Sequence, residues 1–383
     1  MRSQKKVVHL TTVHHPFDTR IYHKECLSLA EAGYQVSLIA PASVEDVEQA
    51  DQRLSLIPLK KYTSRLLRMI LGTWHAYRKA RHIQADVYHF HDPELLPIAF
   101  LLKKKNNAVI YDVHEDYYTS IIQKPYLWKP LRKWIGKMYN VIERFLTRKM
   151  ELFLAEKYYR DRYHRGMTVL NYPIINQALL EKPTGHDSSR KLIYTGNVSE
   201  DRGALFHAEI PTYKDVDIYF VGKCPSALSE KMKQIAHDQR DSLVFDGIDQ
   251  FVEREAIDRY YVKHDWLAGV AIFPPTEHYK KKELTKFFEY MSAGLPIICS
   301  NFSAWEQFIE AYQCGITVNP YDEEAIKQSI EYLQNHPQEA KRMGENGRKA
   351  VLEELSWQTQ EQKLVQWYDQ TTDNQATKVT NYE

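Results

Sequence analysis

The stretch "KKKELTKFFEYMSAGLPIICSN" (280–301) places a carboxylate, Glu289, between two aromatic residues. At helical spacing Leu284, Phe287, Phe288 and Met291 make a buried stripe, and Thr285, Glu289 and Ser292 fall together on the opposite side. Glu289 is therefore expected to face water or a ligand as a hydrogen-bond acceptor, with a plain solvated helix face as the alternative. Gly294 and Pro296 stop this helix and aim the chain into a strand, "PIICS".

Other candidates also follow strands. "HHPFDTR" (14–20) comes after a strand and opens a helix, where backbone N–H groups can meet an anion, although the glycines often found there are missing. Asp18 reads equally well as the helix N-cap or as a binding group. Arg20 has no evident structural task and is assigned to a ligand. His114 stands at a strand end in "YDVHED". His89 and His91 in "YHFHDP" are read as alternating across a strand without sharing a face, which argues against a paired metal site; His91 is assigned to the cleft and His89 to the core.

These residues need strand ends to hold them, and the chain supplies strands alternating with helices. "VVHLTT" (7–12), a helix over about 18–32 stopped by Gly33, and "QVSLIAP" make one βαβ unit. "DVYHF" and "AVIYD" continue the rhythm. Beyond a polar break near 172–188, "KLIYTG", "DIYFVG", "LAGVAIF" and "PIICS" repeat it. The expected architecture is α/β, two Rossmann-like doubly wound domains facing across a cleft at the carboxyl ends of their strands. The boundaries are 1–175 for the first domain, 176–188 for a linker, 189–360 for the second domain, and 361–383 for a helix returning to the first domain and ending in a frayed tail, "NQATKVTNYE".

Composition narrows the class. A length of 383 residues suits two domains with separate cores, and 43% hydrophobic residues argue against disorder. No apolar run approaches the roughly 20 residues of a membrane span. The start lacks the apolar stretch of a secretory signal, and Cys26, Cys224, Cys299 and Cys314 have no metal or disulfide spacing. The expected location is the cytosol. Charge is uneven: residues 1–150 hold 24 Lys and Arg against 14 Asp and Glu, while the whole chain is only +1. "KKYTSRLLRMILGTWHAYRKAR" (60–81) and "KPYLWKPLRKWIGKMYNVIERFLTRK" (124–149) interleave cations with Trp74, Tyr126, Trp128 and Trp134. That composition suits an anionic bilayer surface, on the inner face of the plasma membrane, or equally an ordinary helix pair with solvated lysines. Nucleic acid is not an expected partner.

From "TKFFEYMSAGLPIICSNFSAWEQFIEAYQCGITVNP" the chain resembles the carboxyl-terminal domain of retaining glycosyltransferases of family four, which have the GT-B fold. "HHPFDTRIYHKECLSLAEAGYQVSLIAP", "DVYHFHDPELLP", "VIYDVHEDYY" and "YTGNVSEDRG" are similar to further blocks of that family in the same order. The resemblance implies that Glu289 holds the ribose hydroxyls of a sugar nucleotide, that His114 bonds the donor sugar near its reacting carbon, and that Arg202 meets the diphosphate. Gly196, Asn197, Lys281, Thr285 and Lys286 are assigned to the donor side; Asp18, Arg20 and His91 to the acceptor or phosphate side.

Two positions depart from the family pattern. The acidic residue expected eight positions before Glu289 is Lys281, and the basic residue expected beside the diphosphate is Asn197. A lysine among Lys281, Lys282 and Lys286 is expected to replace that cation, with Lys281 the first choice. The implied activity is transfer of a hexose from a nucleotide diphosphate to a hydroxyl of a glycan or lipid-linked acceptor with retention, in cell-surface polysaccharide synthesis, with no metal or other cofactor. The alternatives are a non-catalytic partner in a polysaccharide assembly complex and a sugar-nucleotide epimerase; the latter needs paired carboxylates, which Lys281 denies it.

Overall fold

The computed structural model describes residues 4–114, 117–118, 128–184, 189–277 and 279–380. The chain divides into two compact units, one of Met1–Asn171 with Trp357–Glu383 and the other of Tyr172–Ser356. Each is a Rossmann-like α/β unit on a parallel sheet.

In the first unit β1 (Lys6–Leu10), β2 (Gln35–Pro41), β3 (Leu54–Leu59), β4 (Val87–Phe90), β5 (Ala108–Val113), β6 (Glu151–Leu154) and β7 (Met167–Thr168) pair in the order β3-β2-β1-β4-β5-β6-β7. The strands are short and largely buried on both faces, as a parallel sheet sandwiched between helices requires. The order reverses between β1 and β4, so their carboxyl ends open a crevice there. In the second unit β8 (Lys191–Thr195), β9 (Asp217–Cys224), β10 (Leu243–Ile248), β11 (Ala268–Ala271), β12 (Ile297–Ser300) and β13 (Gly315–Val318) pair in the order β10-β9-β8-β11-β12-β13. The corresponding crevice lies at the ends of β8 and β11.

The helix expected over 18–32 forms in two parts. Thr19–Cys26 is a π-helix and Leu27–Glu31 is α-helical. The wider π-turn buries Arg20, Lys24 and Glu25 as well as Ile21, Tyr22 and Cys26, a set that a 3.6-residue period would not bring inward together. Gly33, at φ +91, ends it.

The carboxyl-terminal helix begins at Trp357, earlier than the expected 361, and runs through Thr380, so most of the stretch expected to fray is helical. It packs on the first unit: Trp357 Nε1 donates to Ser28 Oγ at 2.9 Å, and Leu364 and Tyr368 join a core with Val7, Leu29 and Val36. The segment expected as a linker belongs to the second unit. It carries a short helix, Gln177–Glu181, capped by Asn176 and anchored by buried Leu179. Residues 185–188 of that segment, and 124–127 with Tyr126, lie outside the described residues.

Candidate functional site

The helix Thr285–Ser292 ends where Gly294 adopts φ +70, with the Leu295 N–H bonded to the Tyr290 carbonyl at 2.9 Å. A Cβ at Gly294 would press on Thr184 and Arg348, so the position demands glycine for space as well as for φ. Every residue from Lys286 to Ser292 is buried. This corrects the expectation of an open polar face. Glu289 is only 9% exposed, because its carboxylate enters a polar cluster at the end of β8. Its Oε2 accepts from the Thr195 hydroxyl at 3.2 Å and from the Tyr261 hydroxyl at 3.1 Å, and its Oε1 accepts from Arg254 Nη1. Arg254 also pairs with Asp258 at 2.8 Å. Thr285, placed on the same side as Glu289 by the helical wheel, is exposed, as that reading expected.

Across the β8–β11 crevice two cations meet. Gly203, at φ +77, lies so close to the chain after β11 that a Cβ would collide with the Ile272 carbonyl oxygen. This tight approach sets Arg202, whose Nε donates to the Tyr279 hydroxyl at 3.0 Å and whose Nη1 reaches the Asn197 carbonyl at 3.4 Å. The Tyr279 hydroxyl in turn donates to Asp201 at 3.1 Å. Lys286 Nζ lies 3.8 Å from the centre of the Tyr194 ring and 5.0 Å from that of Phe273. Burial, reinforced by the nearby charge of Arg202 and opposed by Glu289, pushes the Lys286 pKa down to about 7.

Of the lysines expected near a diphosphate, Lys286 is thus the one that is buried and feels the charge of Arg202. Lys281, the first choice, is exposed and lines a cleft of about 590 Å³ with Asn301, Phe302, Asn319 and Tyr321, at the ends of β11, β12 and β13. That cleft is one strand over from the β8–β11 crevice where Glu289, Arg202 and Lys286 gather. The crevice is the stronger candidate, because it sits at the switch point and holds the perturbed groups. Gly196, at φ +86, and exposed Asn197 form its β8 rim, with the Asn197 carbonyl accepting the Tyr194 hydroxyl at 2.9 Å.

The first unit holds a second cluster, around the ends of β1, β4 and β5. Asp112 is fully buried and receives Arg20 through two bonds of 2.8 and 2.7 Å, His91 Nδ1 at 3.3 Å and His114 Nδ1 at 3.2 Å. Burial alone would raise its carboxyl pKa; the Arg20 guanidinium reverses this and holds it well below the usual range. Arg20 is therefore corrected from a ligand-binding residue to the buried partner of Asp112 and of Glu25, at 3.2 Å. Asp18 accepts the N–H groups of Arg20 and Ile21, each at 2.9 Å, which is the capping role. His91 is fully buried, and burial lowers its pKa. Residues two apart on a strand share a face, so His89 and His91 stack, ring centres 4.8 Å apart, contrary to the reading that separated them.

His114 is the part of this cluster nearest solvent, together with His14, which sequence reasoning passed over. Their Nε2 atoms are 3.1 Å apart, and His14 Nδ1 lies 3.1 Å from the buried Asp92 carboxylate. Asp92 is fixed by the Thr11 hydroxyl and the Thr12 N–H. The doublet "HH" directly after β1 was the available signal for His14. Thr195, Arg254, Tyr261 and Tyr279 had none, since β8, the helix Arg254–Lys263 and the chain after β11 are far apart in sequence.

Residues 19–159 match the family profile described as Glycosyltransferase Family 4, and residues 249–350 match that described as Glycosyl transferases group 1. An 82-residue stretch is 30% identical to the MMP alpha-(1->4)-mannosyltransferase of Mycolicibacterium hassiacum, covering 21% of this chain and 20% of that protein. Among solved structures, sucrose-phosphate synthase from Thermosynechococcus elongatus aligns over 96% of this chain and 99% of its own, with TM-score 0.70 and 17% identity. HepE from Anabaena, in complex with UDP, aligns over 96% and 100% with TM-score 0.69 and 10% identity. With both units matched by profiles and both sheets in GT-B order, the chain belongs to the family-4-type glycosyltransferases of GT-B architecture.

Proposed function

We propose that the protein transfers a sugar, a hexose, from a nucleotide-diphosphate donor to a hydroxyl of a glycan or lipid-linked acceptor, with retention, in cell-surface polysaccharide synthesis. The observation that carries this is the pairing of Arg202 with buried Lys286 at the β8–β11 switch point, next to a carboxylate bonded to two hydroxyls and an arginine. Two cations suit a diphosphate leaving group, and Glu289 suits the ribose hydroxyls, which would displace the Thr195 and Tyr261 hydroxyls from Oε2. The HepE and mannosyltransferase likenesses support a nucleotide-sugar donor.

In the reaction the anomeric carbon–phosphate oxygen bond breaks as the acceptor oxygen–carbon bond forms. The acceptor proton passes to the departing phosphate on the same face. Charge grows on the diphosphate, where Arg202 and Lys286 stabilise it, and His114 bonds the transferred sugar. Thermal shift with UDP-, GDP- and ADP-sugars, followed by analysis of products with candidate acceptors, tests this reading. A stabilising donor that is slowly hydrolysed without acceptor is expected. Stabilisation with neither hydrolysis nor transfer would favour the non-catalytic binding reading.

No described helix is long and apolar enough to cross a membrane. Two segments of the first unit nevertheless show large apolar side chains to solvent among cations. Leu66 is 71% exposed and Ile70 66%, flanked by Arg65 and Arg68; on Lys129–Thr147, Trp134 is 60% and Val141 69% exposed, among Arg132, Lys133, Lys137 and Arg144. Such surfaces suit an anionic bilayer, where a lipid-linked acceptor would reside.

A further inference from the structure

We propose that the first unit binds a structural divalent transition metal, zinc or an ion of similar chemistry, through His9, Glu25, His89 and His91. All four are fully buried. They come from three elements: His9 stands opposite His89 in the register of β1 and β4, His91 follows on the same face, and Glu25 is delivered by the π-helix.

The distances carry the argument. His9 Nδ1, His89 Nδ1 and His91 Nε2 lie 3.8, 3.8 and 3.9 Å from the same oxygen, Glu25 Oε2, and His9 Nδ1 is 3.0 Å from His91 Nε2. One ligand atom from each residue lies within 4.8 Å of the others. The three contacts to Glu25 are too long for hydrogen bonds. A water in the middle, with bonds of about 2.8 Å, would spread the four atoms to edges of about 4.6 Å. A tetrahedral zinc with bonds of about 2.0–2.1 Å needs edges of about 3.3–3.4 Å, which small side-chain adjustments would reach.

A second observation points the same way. Neither Glu25 oxygen has a hydrogen bond, although both are buried. Arg20 Nη2 stands 3.2 Å from Oε1, which leaves Oε2 turned toward the three imidazoles. His91 can ligate through Nε2 while Nδ1 remains 3.3 Å from Asp112, the carboxylate–histidine–metal arrangement that fixes a ligand's tautomer. Ligation exchanges two existing bonds, His9 to His91 and His89 to the Tyr368 hydroxyl at 2.9 Å, for metal bonds. The cluster is closed to solvent, so the ion would tie β1, β4 and the π-helix together without meeting substrate.

The proposal is independent of the glycosyl-transfer reading. Full-length protein expressed with added zinc and dialysed should retain one equivalent by elemental analysis, and loading with Co²⁺ should give the intense visible bands of a tetrahedral site. Chelation should lower the melting temperature. Glu25→Gln is the discriminating variant: glutamine imitates a protonated carboxyl in size and polarity, so it should preserve an ion-free core but lose the ion and its stabilisation. Tyr368→Phe should keep the ion. Substoichiometric zinc in the wild type with no effect of chelator, a weak octahedral Co²⁺ spectrum, or full metal content in Glu25→Gln would each overturn the proposal. The wild-type measurements decide even if Glu25→Gln fails to fold.

Discussion

The Nε2 atoms of His14 and His114 face each other at 3.1 Å, while the Nδ1 atom of each ring faces a buried carboxylate, Asp92 and Asp112 respectively. Each carboxylate thereby orients one ring, and the paired Nε2 edges form the solvent side of the cluster.

Under the proposed function, His114→Ala should lower kcat by roughly 10²-fold or more and change donor affinity only a few-fold, because a bond from His114 to the sugar would matter most as charge develops. Single-turnover kinetics with a saturating donor measures this. An equal loss in donor binding would instead assign His114 to ground-state recognition.

Glu289→Gln keeps the side-chain shape but removes the charge that meets Arg254 and, under the proposed function, would meet the ribose hydroxyls. Donor binding should weaken by about 1.5–3 kcal/mol, roughly 10- to 150-fold, with the fold retained. Glu289→Ala should also lose about 1–3 kcal/mol of stability, since the Thr195 and Tyr261 hydroxyls lose their acceptor inside the unit. Calorimetric titration with donor and a denaturant melt separate the two effects.

Lys286 predicts a pH signature. Its folded pKa, about 7, is depressed from 10.5, so between those values the unfolded chain binds the extra proton and stability rises with pH. Lys286→Met should therefore stabilise the protein most below pH 7, with the advantage fading toward pH 10. A bound diphosphate favours the charged amine, so donor binding at pH 8 should take up a proton, read as a buffer-dependent binding enthalpy, and affinity should fall from pH 7 to 9. The uptake should vanish in Lys286→Met. Lys281→Glu, which restores the family's acidic position in a separate cleft, should leave that uptake intact; its loss there would return the phosphate contact to Lys281.

The exposed apolar residues give a location test. Sedimentation with anionic vesicles at low salt should retain the wild type and release a Trp134→Glu, Val141→Glu double variant, with donor binding in solution unchanged. Equal recovery of both proteins with neutral vesicles, or no sedimentation of either, would leave Lys129–Thr147 as an ordinary surface helix.

Much of the fold was legible because its signals are local. Short apolar runs ending in turn residues gave the central strands of both sheets, β1, β2, β4, β5, β8, β9, β11 and β12, and missed the outer β3, β6, β7, β10 and β13; Gly33 and Gly294 marked helix ends, and both adopt positive φ. The order of the motif blocks carried the family, and Arg202 and Glu289 were found by their place after β8 and in "FEYM". What only tertiary structure decided was which polar groups neutralise one another. Helical periodicity sorts side chains by direction from one axis, so it put Glu289 on an open face; Thr195 from β8, and Tyr261 and Arg254 from the helix Arg254–Lys263, enclose it. Arg20 looked free until β5 brought Asp112 to it, and a π-turn, which the 3.6 period does not reveal, swung Glu25 to the imidazoles. Likewise Lys281 and Lys286 are equivalent cations in sequence. Packing against Tyr194 distinguishes them, because burial makes the charge of Lys286 depend on what binds beside it.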